Sequence, residues 1–222
     1  LRVAFGSDSP HEWENVTIAS GATVASIEDV AVGDLDGDDW PDLVAACEEA
    51  HLAFFRNPGV GMRTRAWPHL IPALTQGRGS WLRVFIADMN RDGRLDVLAA
   101  NKGAADIIDP SLPSSARPTS LFLIDGDPLE QSSWREQELS REVVPNTAMP
   151  FDIDGDGDLD VLTGARLRQE MAILEVLGAR RDGGVELRRH PIHIAAGAPA
   201  PPQWRGTSSA FQSAFADLDG DG

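Results

Sequence analysis

Short apolar runs alternate along the chain with clusters of glycine, proline, asparagine and acidic residues. Typical runs are "VAVGD", "DLVAA" and "HLAFF", which begin at residues 30, 42 and 51. Each run is short and has no helical period, and turn-forming residues separate it from the next run. This pattern is typical of buried β-strands and predicts an all-β chain.

The strand pattern itself repeats along the chain. An apolar run leads into an acidic loop, a second run leaves that loop, and two further runs precede the next loop. The loops begin at Asp34, Asp88, Asp152 and Asp217, which are 54, 64 and 65 residues apart. Four short strands per repeat indicate the blades of a β-propeller. We therefore predict four-stranded antiparallel blades at about residues 28–72, 81–140 and 146–195, with partial blades at 10–20 and 210–222.

The first acidic loop, "DLDGDDWPDL", has the spacing of a cation site. Asp34, Asp36 and Asp38 occupy positions 1, 3 and 5, and Asp42 occupies position 9. A hard cation such as Ca²⁺ takes about six to eight oxygen ligands, which acids at alternate positions of a tight loop supply. An EF-hand would need a glutamate at position 12 and a following helix, whereas position 12 is Ala45 and an apolar run follows. The sequence therefore predicts a calcium loop between two strands.

The same loop occurs three more times. Its further acidic or amide positions are Asp88, Asn90, Asp92 and Asp96, then Asp152, Asp154, Asp156 and Asp160, then Asp217, Asp219 and Asp221. Position 6 is Gly93 or Gly157 in two of the complete loops and Asp39 in the first, which predicts a left-handed backbone there. We expect Ca²⁺ in the first three loops, with Asp42, Asp96 and Asp160 as closing ligands. Asn90 replaces an acid, so we expect the second site to be weaker.

These loops and their flanking strands resemble FG-GAP/VCBS repeats, the calcium-binding blades of integrin α-subunit propellers and of many secreted bacterial proteins. The cadence is closer to the bacterial VCBS form, and the resemblance covers about residues 10–222. It implies metal ligands at positions 1, 3, 5 and 9, with the backbone carbonyl at position 7. Position 7 is Trp40, Arg94 or Asp158. Similar propellers typically have about seven blades, so we expect the 222 residues to be part of a longer protein.

Charge and composition narrow the function classes. The net charge is −16, and the acidic loops carry about as many acidic side chains as this excess. The chain has no stripe of lysine and arginine that would bind nucleic acid. It also has no apolar run long enough to span a membrane. Extracellular calcium sites have dissociation constants of about 10⁻⁴–10⁻³ M, which cytosolic calcium cannot fill. We therefore expect an extracellular, cell-surface or periplasmic protein.

Other candidate chemistry is sparse, and the motifs of common hydrolases and nucleotide-binding enzymes are missing from the sequence. His190 and His193 point to opposite faces of a strand, so joint metal binding is not expected. Trp13 and Trp67 each lie 21 residues before a loop, and with Trp134 they suggest a packing position within each blade. Residues 109–120 are interpreted as an insertion in the second blade. The sequence favours a binding scaffold for a glycan or protein. The alternative is the propeller of a secreted polysaccharide lyase or other carbohydrate-active enzyme, and no catalytic residues are assigned.

Overall fold

The computed structural model describes residues 1–48, 50–103, 116–165 and 170–192. Within these residues the chain consists of β-strands, short 3-10 turns and loops. The strands are β1 Arg2–Gly6, β2 Trp13–Thr17, β3 Ile27–Gly33, β4 Asp42–Cys47, β5 Leu52–Phe55, β6 His69–Leu70, β7 Ser80–Ala87, β8 Asp96–Gly103, β9 Ala116–Ile124, β10 Trp134–Val143, β11 Pro145–Phe151, β12 Asp160–Ala165, β13 Glu170–Ala179 and β14 Val185–Ile192. The 3-10 turns are Gly21–Val24, Gly59–Gly61, Ala73–Thr75 and Gln131–Ser133.

The strands form three four-stranded antiparallel sheets and one two-stranded hairpin. Strands that follow one another in sequence are neighbours in each sheet, in the orders β3–β4–β5–β6, β7–β8–β9–β10 and β11–β12–β13–β14, while β1 pairs with β2. This meander of four short strands is the arrangement of a propeller blade. The predicted fold class, an all-β chain of four-stranded antiparallel sheets, is confirmed.

The central strands of the first sheet are apolar on both faces because this sheet is covered on both sides. Every residue of β4 and β5 is buried. Along β4, Val44 and Ala46 join the core against the second sheet, whereas Leu43 and Ala45 join the core on the other side. Alternate side chains point to opposite faces of a strand, so the run "LVAA" serves two cores at once. This explains why the strands read as continuous apolar runs without alternation.

Neighbouring sheets pack face to face through large side chains. Phe54 of the first sheet shares a core with Trp81, Phe122 and Trp134 of the second sheet. The second and third sheets share another core, to which Leu121 belongs. The third core lies between the N-terminal hairpin and the first sheet. Each pair of adjacent sheets thus encloses its own hydrophobic layer, and the layers follow one another along the chain.

The recurring tryptophans differ in burial. Trp67 and Trp134 are 6% and 5% exposed. Each packs in the core between its own sheet and the sheet or hairpin that precedes it, as expected for a packing position. Trp13 is 58% exposed, so the expectation of packing is wrong at this residue within the described chain. Trp81, which falls outside the repeated position, is fully buried. Trp204 lies outside the described residues.

Two further differences concern the connections. The insertion expected at 109–120 overlaps β9, which already begins at Ala116. The residues from Ala116 onward belong to this strand because they pair with β10, with Ala116 opposite Val143. The hairpin partner of β2, strand β1, was not predicted from the sequence. The partial blade expected at 210–222 lies outside the described residues, as do Asp217, Asp219, Asp221 and His193. No helix in the described parts of the chain is long and apolar enough to cross a membrane.

Candidate metal centre

The three complete acidic loops occupy equivalent places, each joining the first strand of a sheet to the second. Their backbones turn in the same way. Position 6 is left-handed in every loop, with φ of 68° at Asp39, 84° at Gly93 and 91° at Gly157. Position 4 is left-handed as well, at Gly37, Arg91 and Gly155. This second left-handed position was not predicted from the sequence, although glycine stands there in two of the loops and could have indicated it.

Backbone amides of the loop orient the carboxylates at positions 1, 3 and 5. In the third loop, the amides of Gly155 and Gly157 donate to the two oxygens of Asp152, at 2.8 and 3.0 Å. The amide of Asp156 donates to Asp154 at 3.2 Å, and the amide of Asp158 donates to Asp156 at 2.8 Å. Comparable bonds form in the other two loops. The loop backbone therefore fixes its own acids close together.

Two of the loops bring three carboxylates to a common centre. One oxygen each of Asp34, Asp36 and Asp42 lies within 4.8 Å of the others, and the same holds for Asp152, Asp154 and Asp156. Calcium–oxygen distances are about 2.3–2.6 Å, so oxygens around one ion are separated by at most about twice that length. The spacing and the all-oxygen donor set fit Ca²⁺. Asp38 and Asp160, which the sequence also assigned as ligands, fall outside these two close groups.

The second loop differs from the other two because it has an asparagine, Asn90, at position 3. Asn90 Oδ1 accepts a bond from the amide of Asp92 at 3.0 Å, as the acid at position 3 does in the other loops. Its Nδ2 donates to the carbonyl of Gly183, in the turn between β13 and β14, at 2.8 Å and to Asp92 Oδ2 at 3.2 Å. The amide thus brings one fewer negative charge and links the loop to the neighbouring sheet.

Residues 34–99 match the family model of the FG-GAP-like repeat. Residues 34–99 therefore form an FG-GAP-like repeat. The matched segment begins at Asp34, the first residue of the first loop, and ends within β8, so it spans the first two loops and strands β4 to β7 between them. The resemblance drawn from the sequence is confirmed for residues 34–99. A comparison with curated proteins found no match to the chain.

Arginines contact the acids of the first two loops, a feature that was not predicted from the sequence. Arg56 Nε lies 2.5 Å from Asp36 Oδ2 as an ion pair rather than an aligned hydrogen bond, and Arg56 also pairs with Asp127 of the second sheet. In the second loop, Arg94 pairs with Asp92 at 2.9 Å. These guanidinium groups offset part of the repulsion among the loop carboxylates.

The third acidic loop has its arginine at a different position. Arg91 pairs with Asp158, at position 7, at 3.0 Å. Within the described residues, no arginine forms an ion pair with Asp152, Asp154 or Asp156. The acids at positions 1, 3 and 5 of this loop are therefore less neutralised by arginine than those of the other two loops. Arg91 belongs to the second loop, so this ion pair also connects two neighbouring loops.

Burial shifts the ionisation of the position-9 acids. It raises the pKa of Asp96 from 3.8 to about 7 and that of Asp42 to about 6. Burial also raises the pKa of Asp160. In each case two backbone hydrogen bonds oppose the shift without cancelling it. A buried carboxylate that ionises with difficulty lacks a positive partner, and a bound cation would supply one.

Proposed function

We propose that the chain is part of a calcium-stabilised propeller-type scaffold that works outside the cytoplasm and binds a glycan or a protein. The observation that carries the proposal is the repeated grouping of carboxylates, Asp34, Asp36 and Asp42 in one loop and Asp152, Asp154 and Asp156 in another. The two groupings occur at equivalent places in the first and third sheets of a chain whose residues 34–99 match an FG-GAP-like repeat.

Each ion would be held by acids of one loop. Positions 1, 3 and 5 supply carboxylates, or the Asn90 amide oxygen in the second loop. The carbonyls of Trp40, Arg94 and Asp158 would complete the set at position 7, and Asp42, Asp96 and Asp160 at position 9. Calcium supplies the positive charge that offsets repulsion among these groups. Because every loop joins two strands of one sheet, binding would hold those strands together.

The role proposed for calcium is structural. At about tenfold excess over the dissociation constant, one site adds roughly 1.4 kcal/mol to the free energy of unfolding. Three sites would add roughly 4 kcal/mol, which is a large part of a typical domain stability. Repetition supports this role, because a catalytic metal usually serves one centre with an open ligand position. The fourth loop, with Asp217, Asp219 and Asp221, would contribute in the same way.

The same chemistry supports the proposed location outside the cytoplasm. Calcium at extracellular concentrations fills sites with dissociation constants of about 10⁻⁴–10⁻³ M, whereas cytosolic calcium does not. A net charge of −16 at neutral pH is costly for a compact chain unless cations bind to it. A cell-surface, secreted or periplasmic setting supplies those cations.

Binding to a glycan or protein is the part of the proposal that an array can test. The purified chain is applied to immobilised glycans and candidate extracellular proteins in about 2 mM calcium. This concentration is near the upper end of the dissociation constants of extracellular calcium sites. The same measurement is repeated in EDTA at a temperature where circular dichroism reports native sheets. A bound ligand whose affinity is retained in EDTA supports the scaffold with structural calcium. Polysaccharide cleavage with release of unsaturated sugars would contradict it and support an enzyme.

A further inference from the structure

The aspartates at position 9 differ from the other loop acids in burial. Asp42, Asp96 and Asp160 are 0%, 2% and 1% exposed. Each is the first residue of the second strand of its sheet, so its backbone already belongs to the strand ladder. A buried carboxylate requires hydrogen-bond donors, because leaving its oxygens without partners is costly.

Both oxygens of each buried carboxylate accept a backbone amide. One donor is the residue at loop position 2, and the other belongs to the third strand or to the residues just after it. The donors are Leu35 and Asn57 for Asp42, at 3.1 and 2.8 Å; Met89 and Ile124 for Asp96, both at 3.4 Å; and Ile153 and Val176 for Asp160, at 3.0 and 2.8 Å. The same pair of bonds therefore occurs in all three sheets.

The position of the second donor follows a fixed register. Leu43, the residue after Asp42, pairs with Phe55, and the donating amide is that of Asn57, two residues further on. The same offset separates Phe122 from Ile124 and Leu174 from Val176. The carboxylate takes the amide at the place where the regular pairing of the second and third strands ends.

The acids at positions 1 and 5 make a different set of backbone bonds. Asp152 accepts from Gly155 and Gly157, and Asp156 accepts from Asp158, all inside the loop. Asp160 accepts from one amide of its loop and one of another strand. The loop thus contains acids that shape the loop and one acid that fixes the loop to its sheet.

We propose that Asp42, Asp96 and Asp160 are clamps that join the loop, the second strand and the third strand of each sheet, whether or not calcium is bound. Each carboxylate oxygen can accept more than one partner, so a clamped acid can also contact an ion, as the proximity of Asp42 to Asp34 and Asp36 allows. The clamp is separate from the proposed function, because it acts in the metal-free chain.

The test compares Asp160→Ala with Asp154→Ala in the full chain, by thermal unfolding in EDTA. The two changes remove the same group from the same loop, but Asp154 is exposed and bonds within the loop. Removing Asp160 leaves two amides without acceptors, and we expect its melting temperature to fall by about 4–12 °C. Asp154→Ala should change it by less than about 2 °C, since it removes repulsion and no buried bond. Equal melting temperatures for the two variants would overturn the clamp.

Amide hydrogen exchange in the wild-type chain tests the clamp without any variant. In EDTA we expect the amides of Ile153 and Val176 to exchange more slowly than that of Gly157, which donates to an exposed acid of the same loop. Rapid exchange at Val176 in EDTA, with protection only after calcium is added, would show that Asp160 is a closing metal ligand and no clamp. A failure of calcium to bind would leave the expected protection unchanged, so the two proposals are tested separately.

Discussion

The tryptophan position of the repeat offers a sharp test of how the sheets pack. Trp134 and Trp13 stand at corresponding places, yet they are 5% and 58% exposed. The indole of Trp134 lies 6.4 Å, centroid to centroid, from the rings of both Phe54 and Phe122, and its Nε1 donates to the carbonyl of Pro128 at 2.9 Å. Phe54 belongs to the preceding sheet, so this indole joins two sheets.

The expected magnitude follows from burial. Replacing a buried tryptophan by alanine costs about 3–5 kcal/mol, because it loses transfer free energy and leaves a cavity. A chain of this size loses roughly 2–4 °C of melting temperature per kcal/mol, so Trp134→Ala should melt about 6–20 °C lower. Trp13 has much less area to lose, and its Nε1 bond to Pro10 is exposed. Trp13→Ala should cost about 1 kcal/mol or less.

The assay is thermal unfolding followed by far-ultraviolet circular dichroism, at one calcium concentration for all variants. Trp134→Phe serves as a control that keeps an aromatic ring in the core and loses only part of the volume, so its loss should be intermediate. If Trp13→Ala and Trp134→Ala destabilised the chain equally, the assignment of the tryptophan position to packing between sheets would be wrong.

Three further predictions concern charge at the loops. Arg56→Ala should tighten calcium binding at the first loop, measured by calorimetry, because it frees Asp36 from an ion pair; weaker binding would contradict this competition. Asn90→Asp should tighten binding at the second loop by adding a negative ligand, and unchanged affinity would mean that this loop holds no ion. Burial raises the folded pKa of Asp96 to about 7, so its contribution to stability is present below about pH 4 and is lost as pH rises through 7. In EDTA the melting temperature of the wild-type chain should therefore fall between pH 5 and pH 8, and that of Asp96→Asn should fall less. An equal fall in both proteins would contradict the assignment of this pH dependence to Asp96.

The strand order and the loop conformation could be predicted because they depend on short sequence patterns that repeat along the chain. An apolar run on each side of every acidic loop indicates a hairpin, and glycine at position 6 indicates the left-handed turn. Three copies of the pattern also give the order of the strands within each sheet. Each of these features depends on residues within a short stretch of chain, so a single sequence is enough to find them.

Features that depend on contacts between distant residues could not be predicted. The pairing of Arg56 with Asp36 and Asp127 requires the position of the second sheet, and nothing in the spacing of the sequence indicates it. The clamp at Asp160 depends on the register of the third strand, which brings Val176 to it. The exposure of Trp13 depends on what covers the hairpin, and a repeated residue type does not reveal that.

Calcium titration of the third loop tests the central claim most directly. Isothermal titration compares the wild-type chain with the double variant Asp152→Ala and Asp156→Ala, and with Asp158→Ala as a matched control. Asp158 lies in the same loop, but its side chain pairs with Arg91 and its proposed ligand is the backbone carbonyl. With native circular dichroism in all three, the double variant should bind one fewer calcium ion and the control should keep the wild-type number. An unchanged number of bound ions in the double variant would contradict the account.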